Sequence, residues 1–174
     1  MKLLKLILYV FTLVIFGYSF SYAKDTVKNI TTITSIKGEK IVVKKLKNGL
    51  KFQNYENKIV LLEVYGDSCP YCLRAIPNYN KLEKKYKNDI VIISLEIYGS
   101  LKNANKQNYI TIAKKDTGNI FKYIKTLTGY GGGIVPYLMI FDKNGELKYH
   151  KAVPNLNEIE KNIIFLLKNQ ELMN

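Results

Sequence analysis

The stretch IVLLEVYGDSCPYC, residues 59–72, decides how this chain folds. Its apolar first half predicts a buried strand from Lys58 to Tyr65. Its second half ends in Cys69-Pro70-Tyr71-Cys72, which contains the only two cysteines of the 174-residue chain. Residues 70–87 follow a helical period, so the cysteine pair lies at the start of a predicted helix. A strand that leads into C-x-x-C at a helix start is the setting of a redox-active dithiol.

The two cysteines of this motif have different predicted roles. Free backbone amides and the positive end of the helix dipole favour a thiolate on Cys69, the predicted nucleophile. Cys72 would resolve the mixed disulfide that Cys69 forms with a substrate. Proline suits the first helical turn because it lacks an amide donor. We therefore predict Cys69 and Cys72 as catalytic residues and Pro70 and Tyr71 as residues that meet the substrate.

Other interpretations of the cysteine pair concern metal or structure. A structural zinc site needs about four ligands, but the chain adds a single histidine, His150, to the two cysteines. A purely structural disulfide would close a very short loop and stabilise the fold little. Soft thiolates select Cu(I), so a copper-binding chaperone that uses Cys69, Cys72 and His150 is the competing non-enzymatic hypothesis. The leading prediction includes no metal site and no cofactor.

The segments after the motif alternate between strand and helix patterns. Ile90–Ile97 is a second buried strand, and a strand–helix–strand unit implies parallel pairing with a right-handed crossover. The other predicted elements are a loop or weak helix over 99–109, a short strand over Tyr109–Ala113, a helix from Asp116 to Leu127, a hairpin of Tyr137–Asp142 with Leu147–Lys151, and a last helix capped by Asn155. Before the motif, Ile30–Ile36 and Lys40–Lys44 predict exposed strands, and Asn48-Gly49 a tight turn.

Residues 1–23 have the pattern of an export signal. A positive segment, Met1–Lys5, precedes an apolar stretch from Leu6 to Phe16, and small residues near Ala23 predict cleavage after it. An uncleaved membrane tether through residues 6–20 is the alternative, since a span needs roughly 20 apolar residues. Export to an oxidising compartment suits a working dithiol. In a Gram-negative source we expect a periplasmic protein, anchored in the inner membrane if the signal is uncleaved.

Composition limits the other classes of function. After removal of such a signal, about 150 residues remain, the size of one ordinary domain. The net charge of +13 would suit nucleic-acid binding. The lysines are scattered along the chain, however, and arginine is nearly absent, which is typical of a solvated surface. We therefore predict no nucleic-acid partner; we also expect a monomer.

The order of these elements, together with the motif, resembles a known family. From Lys58 to Leu167 the chain resembles the thioredoxin superfamily, and Val60–Pro77 is similar to the active-site block of exported thiol–disulfide reductases of the TlpA type. The resemblance implies an α/β thioredoxin fold, with a central mixed sheet flanked by helices, over residues 58–174. Residues 24–57 resemble the N-terminal β-hairpin that such proteins often add.

The resemblance also implies roles for residues outside the motif. Pro136 matches a proline that is cis in thioredoxins and lies against the dithiol, while the backbone of its neighbour, here Val135, pairs with the substrate. Glu63, six residues before Cys69, matches a buried acid that would relay the proton lost by Cys72. Burial would raise the pKa of that acid towards neutrality. An ordinary trans proline and a solvent-facing glutamate are the alternatives.

The chain departs from the family pattern in three places, one of which is Ser94, near the position where thioredoxin has a lysine paired with its buried acid. Ser68 stands where thioredoxin-like proteins usually carry tryptophan, and this chain has none. Tyr65 and Tyr71 are therefore expected to cover the site instead. Ala75 stands where TlpA-type reductases commonly carry an acid, which argues against a role in cytochrome c maturation.

The resemblance implies an exported protein-disulfide oxidoreductase that acts on thiols and disulfides of protein substrates. Reduction, with electrons from a membrane thiol transporter, is the first prediction because the block before Pro77 resembles TlpA-type reductases. A periplasmic oxidase or isomerase is the alternative. Thioredoxin-like copper chaperones also combine two cysteines with a distant histidine, here His150, but they generally place three residues between the cysteines rather than two.

Overall fold

The structure is a computed structural model that describes residues 29–171. From Thr31 onward the described residues form one compact unit. The predicted export signal, residues 1–23, lies outside the described residues. Within the described part of the chain, no helix is both long and apolar enough to cross a membrane.

A small sheet precedes the cysteine motif. Its strands are β1 (Ile30–Thr34), β2 (Lys40–Leu46) and β3 (Gly49–Phe52), in the order β1-β2-β3. The sequence predicted a hairpin here, and the structure adds β3, a strand of four residues that is too short to show a clear alternating pattern. The prediction of exposed strands was also wrong. Ile33, Val43 and Phe52 point into the core beside the main sheet, because one face of each strand must bury its apolar side chains.

Five further strands form the main sheet, in the order β6-β5-β4-β7-β8. They are β4 (Ile59–Tyr65), β5 (Ile90–Glu96), β6 (Ile110–Ile112), β7 (Tyr137–Phe141) and β8 (Leu147–Ala152). The central strand β4 is parallel to β5 and antiparallel to β7, so the predicted mixed sheet is confirmed. Every residue of β4 is buried, as its unbroken apolar run predicts.

Helices cover both faces of this sheet. They are α1 (Pro70–Lys85), α2 (Ile120–Thr128) and α3 (Leu156–Glu171). On one face, Tyr79 of α1 and Ile163 of α3 pack against Leu61 of β4. On the other face, Ile124 of α2 joins the small N-terminal sheet around Leu62. The predicted thioredoxin fold, a mixed sheet between helices with an added N-terminal sheet, is confirmed.

One predicted helix boundary was wrong. Asp116 lies in a short 3-10 turn, and α2 begins only after Asn119. Gly118 separates the two with a positive φ of 54°, a conformation that does not continue a helix. At the last helix the prediction is confirmed, because the Asn155 side chain accepts the backbone N–H of Glu158 at 2.9 Å.

Candidate dithiol site

Cys69 occupies the N-cap of α1, and Pro70 begins the helix. The Cys69 sulfur accepts the backbone N–H of Cys72 at 3.2 Å and donates to the carbonyl oxygen of Val135 at 3.5 Å. Cys69 is half-buried, whereas Cys72 has no exposed surface. Both side chains are free thiols. Cys69 is therefore the more accessible of the two sulfurs.

A turn after β4 brings Cys69 to this position. The strand ends at Tyr65, and the carbonyl oxygen of Gly66 accepts the backbone N–H of Cys69 at 3.0 Å. The Cys69 carbonyl in turn accepts the backbone N–H of Leu73, which starts the helical ladder. The reactive sulfur therefore lies where a parallel strand ends and a helix begins, a place where backbone amides face outward.

The second wall of the site is the Val135–Pro136 segment. The peptide bond between Val135 and Pro136 is cis, as the resemblance implied. Pro136 is buried, and β7 begins immediately after it. The segment is braced by Tyr130, whose hydroxyl donates to the carbonyl oxygen of Ile134 at 3.2 Å and whose ring stacks on Tyr137 at 4.4 Å. These contacts of Tyr130 stabilise the segment in which the Val135 carbonyl oxygen lies beside the Cys69 sulfur.

Glu63 lies in the middle of β4, between Ser94 of β5 and Leu138 of β7. It has no exposed surface. One carboxyl oxygen accepts the Ser94 hydroxyl at 3.2 Å, and the other has no hydrogen-bond partner among the described residues. Burial raises the pKa of Glu63 to about 8, and the Ser94 hydrogen bond offsets only part of that rise. The structure therefore holds a carboxyl group that can exchange a proton near neutral pH.

Cys72 is the shielded partner of the dithiol. Burial raises the pKa of its thiol, and the hydrogen bond with Cys69 raises it further. A hydrogen bond with the Gly66 backbone acts in the opposite direction, while the nearby Glu63 carboxylate adds to the rise. Cys72 therefore keeps its proton until a group close by can take it.

Comparisons with known proteins agree with this geometry. The thioredoxin family model matches residues 39–114, a range that includes both cysteines and Glu63. Over these residues the chain is similar to the thioredoxin family. The match begins inside the added N-terminal sheet and ends just after β6. It supports the predicted class of protein, a thioredoxin-like protein-disulfide oxidoreductase.

Solved structures share the thioredoxin fold at low sequence identity. A thiol:disulfide interchange protein of the thioredoxin family from Chlorobium tepidum is 14% identical, with a TM-score of 0.59 over 80% of this chain and 94% of that one. A thioredoxin-like protein from Aeropyrum pernix is 20% identical, with a TM-score of 0.56 over 85% and 94%. The pneumococcal exposed lipoprotein thioredoxin from Streptococcus pneumoniae is 17% identical, with a TM-score of 0.55 over 79% and 99%. No curated protein sequence matches the chain.

Of the two tyrosines expected to cover the dithiol in place of a tryptophan, Tyr65 packs against it. Tyr65 is buried in a cluster with Cys72, and Cys69 packs against that cluster, so Tyr65 covers the inner side of the dithiol. Its hydroxyl donates to Asp67 at 2.8 Å. Tyr71 points outward beneath the guanidinium of Arg74, which lies 4.5 Å from its ring centre. The aromatic ring that lies against the turn before Cys69 belongs to Tyr98, which sequence reasoning missed.

Asp67 is a second residue that sequence reasoning missed. Its carboxylate accepts hydrogen bonds from the hydroxyls of Tyr65 and Ser100 and from the backbone N–H of Asn103. Burial would raise the pKa of Asp67, but these hydrogen bonds together outweigh it and lower the pKa. Asp67 thus ties the turn before the dithiol to the loop after β5.

His150 lies on β8 and is exposed. Its Nδ1 is hydrogen-bonded to the Tyr137 hydroxyl at 2.7 Å. Between residues 29 and 171, no three His, Cys, Asp or Glu side chains are grouped closely enough to hold a metal ion. The copper hypothesis therefore has no preassembled three-ligand cluster in the described part of the chain.

Proposed function

We propose that the protein is an exported reductase of disulfides in protein substrates. One observation carries this proposal: the half-buried Cys69 sulfur lies at a helix N-cap, 3.5 Å from a backbone carbonyl of the cis-proline segment, with a fully buried second thiol behind it. A substrate disulfide can reach the sulfur of Cys69. The buried sulfur of Cys72 is accessible only to Cys69, with which it can form an internal disulfide.

The reaction transfers two electrons from the dithiol to the substrate. The Cys69 thiolate attacks one sulfur of the substrate disulfide, the substrate S–S bond breaks, and the sulfur that leaves takes a proton. This step yields a mixed disulfide between Cys69 and the substrate. Cys72 then loses its proton and attacks the Cys69 sulfur, which releases the second substrate thiol. The protein ends as the Cys69–Cys72 disulfide, and an external dithiol reduces it again.

Glu63 supplies the base for the second step in this proposal. The raised pKa of the Cys72 thiol makes proton loss the difficult event. A carboxyl group with a pKa of about 8 is well matched to accept that proton near neutral pH. The carboxyl oxygen of Glu63 that has no partner among the described residues is free to do so. A water molecule between the two groups would complete the path.

The surroundings of the dithiol suit a polypeptide substrate. Exposed apolar side chains on the elements around Cys69 include Tyr71, which is 58% exposed, and Ile134, which is 60% exposed. Val153 is also exposed, and its backbone N–H donates to the carbonyl oxygen of Pro136 at 2.8 Å. Clustered exposed apolar surface marks protein-binding sites. Val135 and Pro136 would pair with the substrate backbone, and Pro70 and Tyr71 would border it.

The direction and location of the reaction rest on the sequence. The similarity of Val60–Pro77 to the active-site block of TlpA-type reductases supports reduction over oxidation or isomerisation. The signal pattern of residues 1–23 supports export and a periplasmic location, and a membrane thiol transporter would then return electrons to the dithiol. One of the similar structures is named an exposed lipoprotein thioredoxin.

Insulin reduction tests the proposal. We expect the protein to catalyse reduction of insulin disulfides with dithiothreitol as the electron source, and Cys69→Ser to abolish this activity. Equilibration with glutathione gives the reduction potential: a value near −270 mV, about that of thioredoxin, supports a reductase, and a value near −120 mV supports an oxidase. Absence of insulin reduction, together with tight Cu(I) binding that depends on His150, would contradict the proposal.

A further inference from the structure

The loop after β5 places an aromatic ring against the turn that carries the dithiol. A β-carbon added at Gly66 would lie 2.4 Å and 2.7 Å from two ring carbons of Tyr98. The same β-carbon would lie 3.5 Å from the β-carbon of Cys69. The Tyr98 ring and Cys69 therefore border the same glycine. The ring has room there only because residue 66 has no side chain.

Two buried acids organise the loop that carries Tyr98. Glu96 has no exposed surface and accepts the backbone N–H groups of Tyr98 at 2.8 Å and Gly99 at 2.5 Å. Further along the loop, Asp67 accepts the hydroxyl of Ser100 at 2.7 Å. Glu96 is the last residue of β5, and Asp67 lies in the turn after β4. The loop is thus organised before any substrate arrives, which lowers the entropy cost of binding.

The ring itself is not needed to fill the core. Tyr98 is 54% exposed, although its backbone is fixed by buried carboxylates. Ile134 is 60% exposed and precedes Val135, whose carbonyl oxygen lies 3.5 Å from the Cys69 sulfur. Tyrosine is enriched among the few residues that contribute most of the binding energy at protein interfaces. An extended peptide that pairs with the backbone of Val135 would have Tyr98 as the aromatic wall of its groove.

We propose that Tyr98 determines substrate specificity. Its ring packs against the side chain next to the reacting cysteine of the substrate and favours an aromatic or large apolar residue there. This role presupposes the disulfide reduction proposed above. It adds Tyr98, on the outer side of the turn, to Tyr65 as an aromatic residue beside the dithiol.

The test compares two disulfide-bonded peptides that are identical except for Phe or Gly beside the cysteine. We expect the native protein to reduce the Phe peptide with about tenfold higher kcat/KM than the Gly peptide, as aromatic contacts at interface centres contribute on this scale. In Tyr98→Ala the ratio should fall to near one, mainly through a higher KM for the Phe peptide. Tyr98→Phe keeps the ring and should keep the preference.

Gly66→Ala displaces the ring without removing it. The added methyl group would collide with the Tyr98 ring, a flexible side chain that can swing away, and the φ of Gly66 is not in the left-handed region. We expect the same loss of preference as in Tyr98→Ala. Leu101→Ala, in the same loop and 39% exposed in the native protein, is the matched control and should leave the ratio unchanged. Thermal unfolding of each variant checks that the fold is retained.

The outcomes separate the two proposals. An unchanged preference in Tyr98→Ala overturns the role of Tyr98, and so does a native protein that reduces both peptides equally well. A native protein that reduces neither peptide nor insulin overturns the proposed function itself. Loss of preference in both Tyr98→Ala and Gly66→Ala, with Leu101→Ala unaffected, supports the role.

Discussion

Two buried carboxyl groups four positions apart in the chain behave in opposite ways. Glu63 lies beneath the dithiol, within β4, and Asp67 lies beside it, in the turn that follows. Glu63 is fully buried and Asp67 is 4% exposed. Glu63 accepts one hydrogen bond, from Ser94, and its pKa is raised to about 8. Asp67 accepts several hydrogen bonds, and its pKa is lowered.

Hydrogen bonding, rather than burial, separates the two acids. A carboxylate surrounded by donors is stable as an anion, so Asp67 can hold the loop after β5 in place at all neutral pH values. A carboxylate with few donors is costly to bury, so Glu63 binds a proton and can release it. One acid is suited to structure and the other to proton transfer. Exchanging each acid for its amide separates these roles.

Of the changes proposed here, Glu63→Gln is expected to have the largest effect, a loss of turnover. The amide cannot accept the proton of Cys72, so disulfide reduction at pH 8.5 should fall on the order of 100-fold, at the low end for general acid–base catalysis. The stability of the variant at pH 7 should change by less than about 1 kcal/mol, because the native carboxyl is largely neutral there. Single-turnover reduction of insulin and urea unfolding measure both quantities. Native-like turnover would remove Glu63 from the mechanism.

The second-largest effect is expected in Asp67→Asn, which should be less stable than the native protein. The amide weakens the charge-assisted bonds from Tyr65, Ser100 and Asn103, so the free energy of unfolding should fall by about 2 kcal/mol. Urea unfolding at pH 7 measures the loss. Turnover per folded molecule should fall much less than in Glu63→Gln. If Asp67→Asn is as stable as the native protein, the hydrogen bonds to Asp67 do not hold the loop.

The third effect is the pH dependence of stability. Because the folded pKa of Glu63, about 8, exceeds its ordinary value of 4.5, the folded protein holds the extra proton between these values. Stability should therefore decrease as the pH rises through this window, by up to about 1.4 kcal/mol per pH unit. Asp67 has the opposite sign, since its lowered pKa adds stability above the ordinary value that is lost as the pH falls.

Urea unfolding between pH 5 and pH 9 checks this contribution of Glu63. The slope should be smaller in Glu63→Gln than in the native protein, because the amide does not titrate. Equal slopes in the two proteins would show that the Glu63 carboxyl titrates at its ordinary pKa.

The smallest effect is expected for Ser94→Ala. The Ser94 hydroxyl donates the hydrogen bond that lowers the pKa of Glu63. Its removal should move the midpoint of the pH–rate profile upward by about half a unit, the size of one weak hydrogen bond. A midpoint that moves downward would contradict the assignment of that profile to Glu63. Thr126→Ala, on an exposed position of α2, is the control.

The contrast between the two acids also marks what the sequence could predict. The resemblance to the thioredoxin superfamily singled out Glu63, at the position of that family's buried acid six residues before Cys69, and the apolar run of β4 favoured its burial. Asp67 was missed because its donors Ser100 and Asn103 lie 33 and 36 positions away along the chain. Tyr98 was missed for the same reason, since its contact with Gly66 depends on how an irregular loop folds back.

The fold was easier to predict than these contacts. Periodic apolar patterns identified β4, β5, α1 and α3, because each buries a whole face or stripe. Short elements such as β3 carry too few residues for a pattern. Because Gly118 has a positive φ, α2 begins later in the chain than predicted. The residue types around Asp116 did not indicate this.

Trapping of the mixed disulfide tests the central claim, that Cys69 attacks and Cys72 resolves. Cys72→Ser is incubated with a disulfide-bonded peptide, and the intact mass of the protein is measured. We predict a covalent peptide adduct on Cys69, with no such adduct in Cys69→Ser under the same conditions. An adduct that forms as fast on Cys72 in Cys69→Ser as on Cys69 in Cys72→Ser would contradict the account.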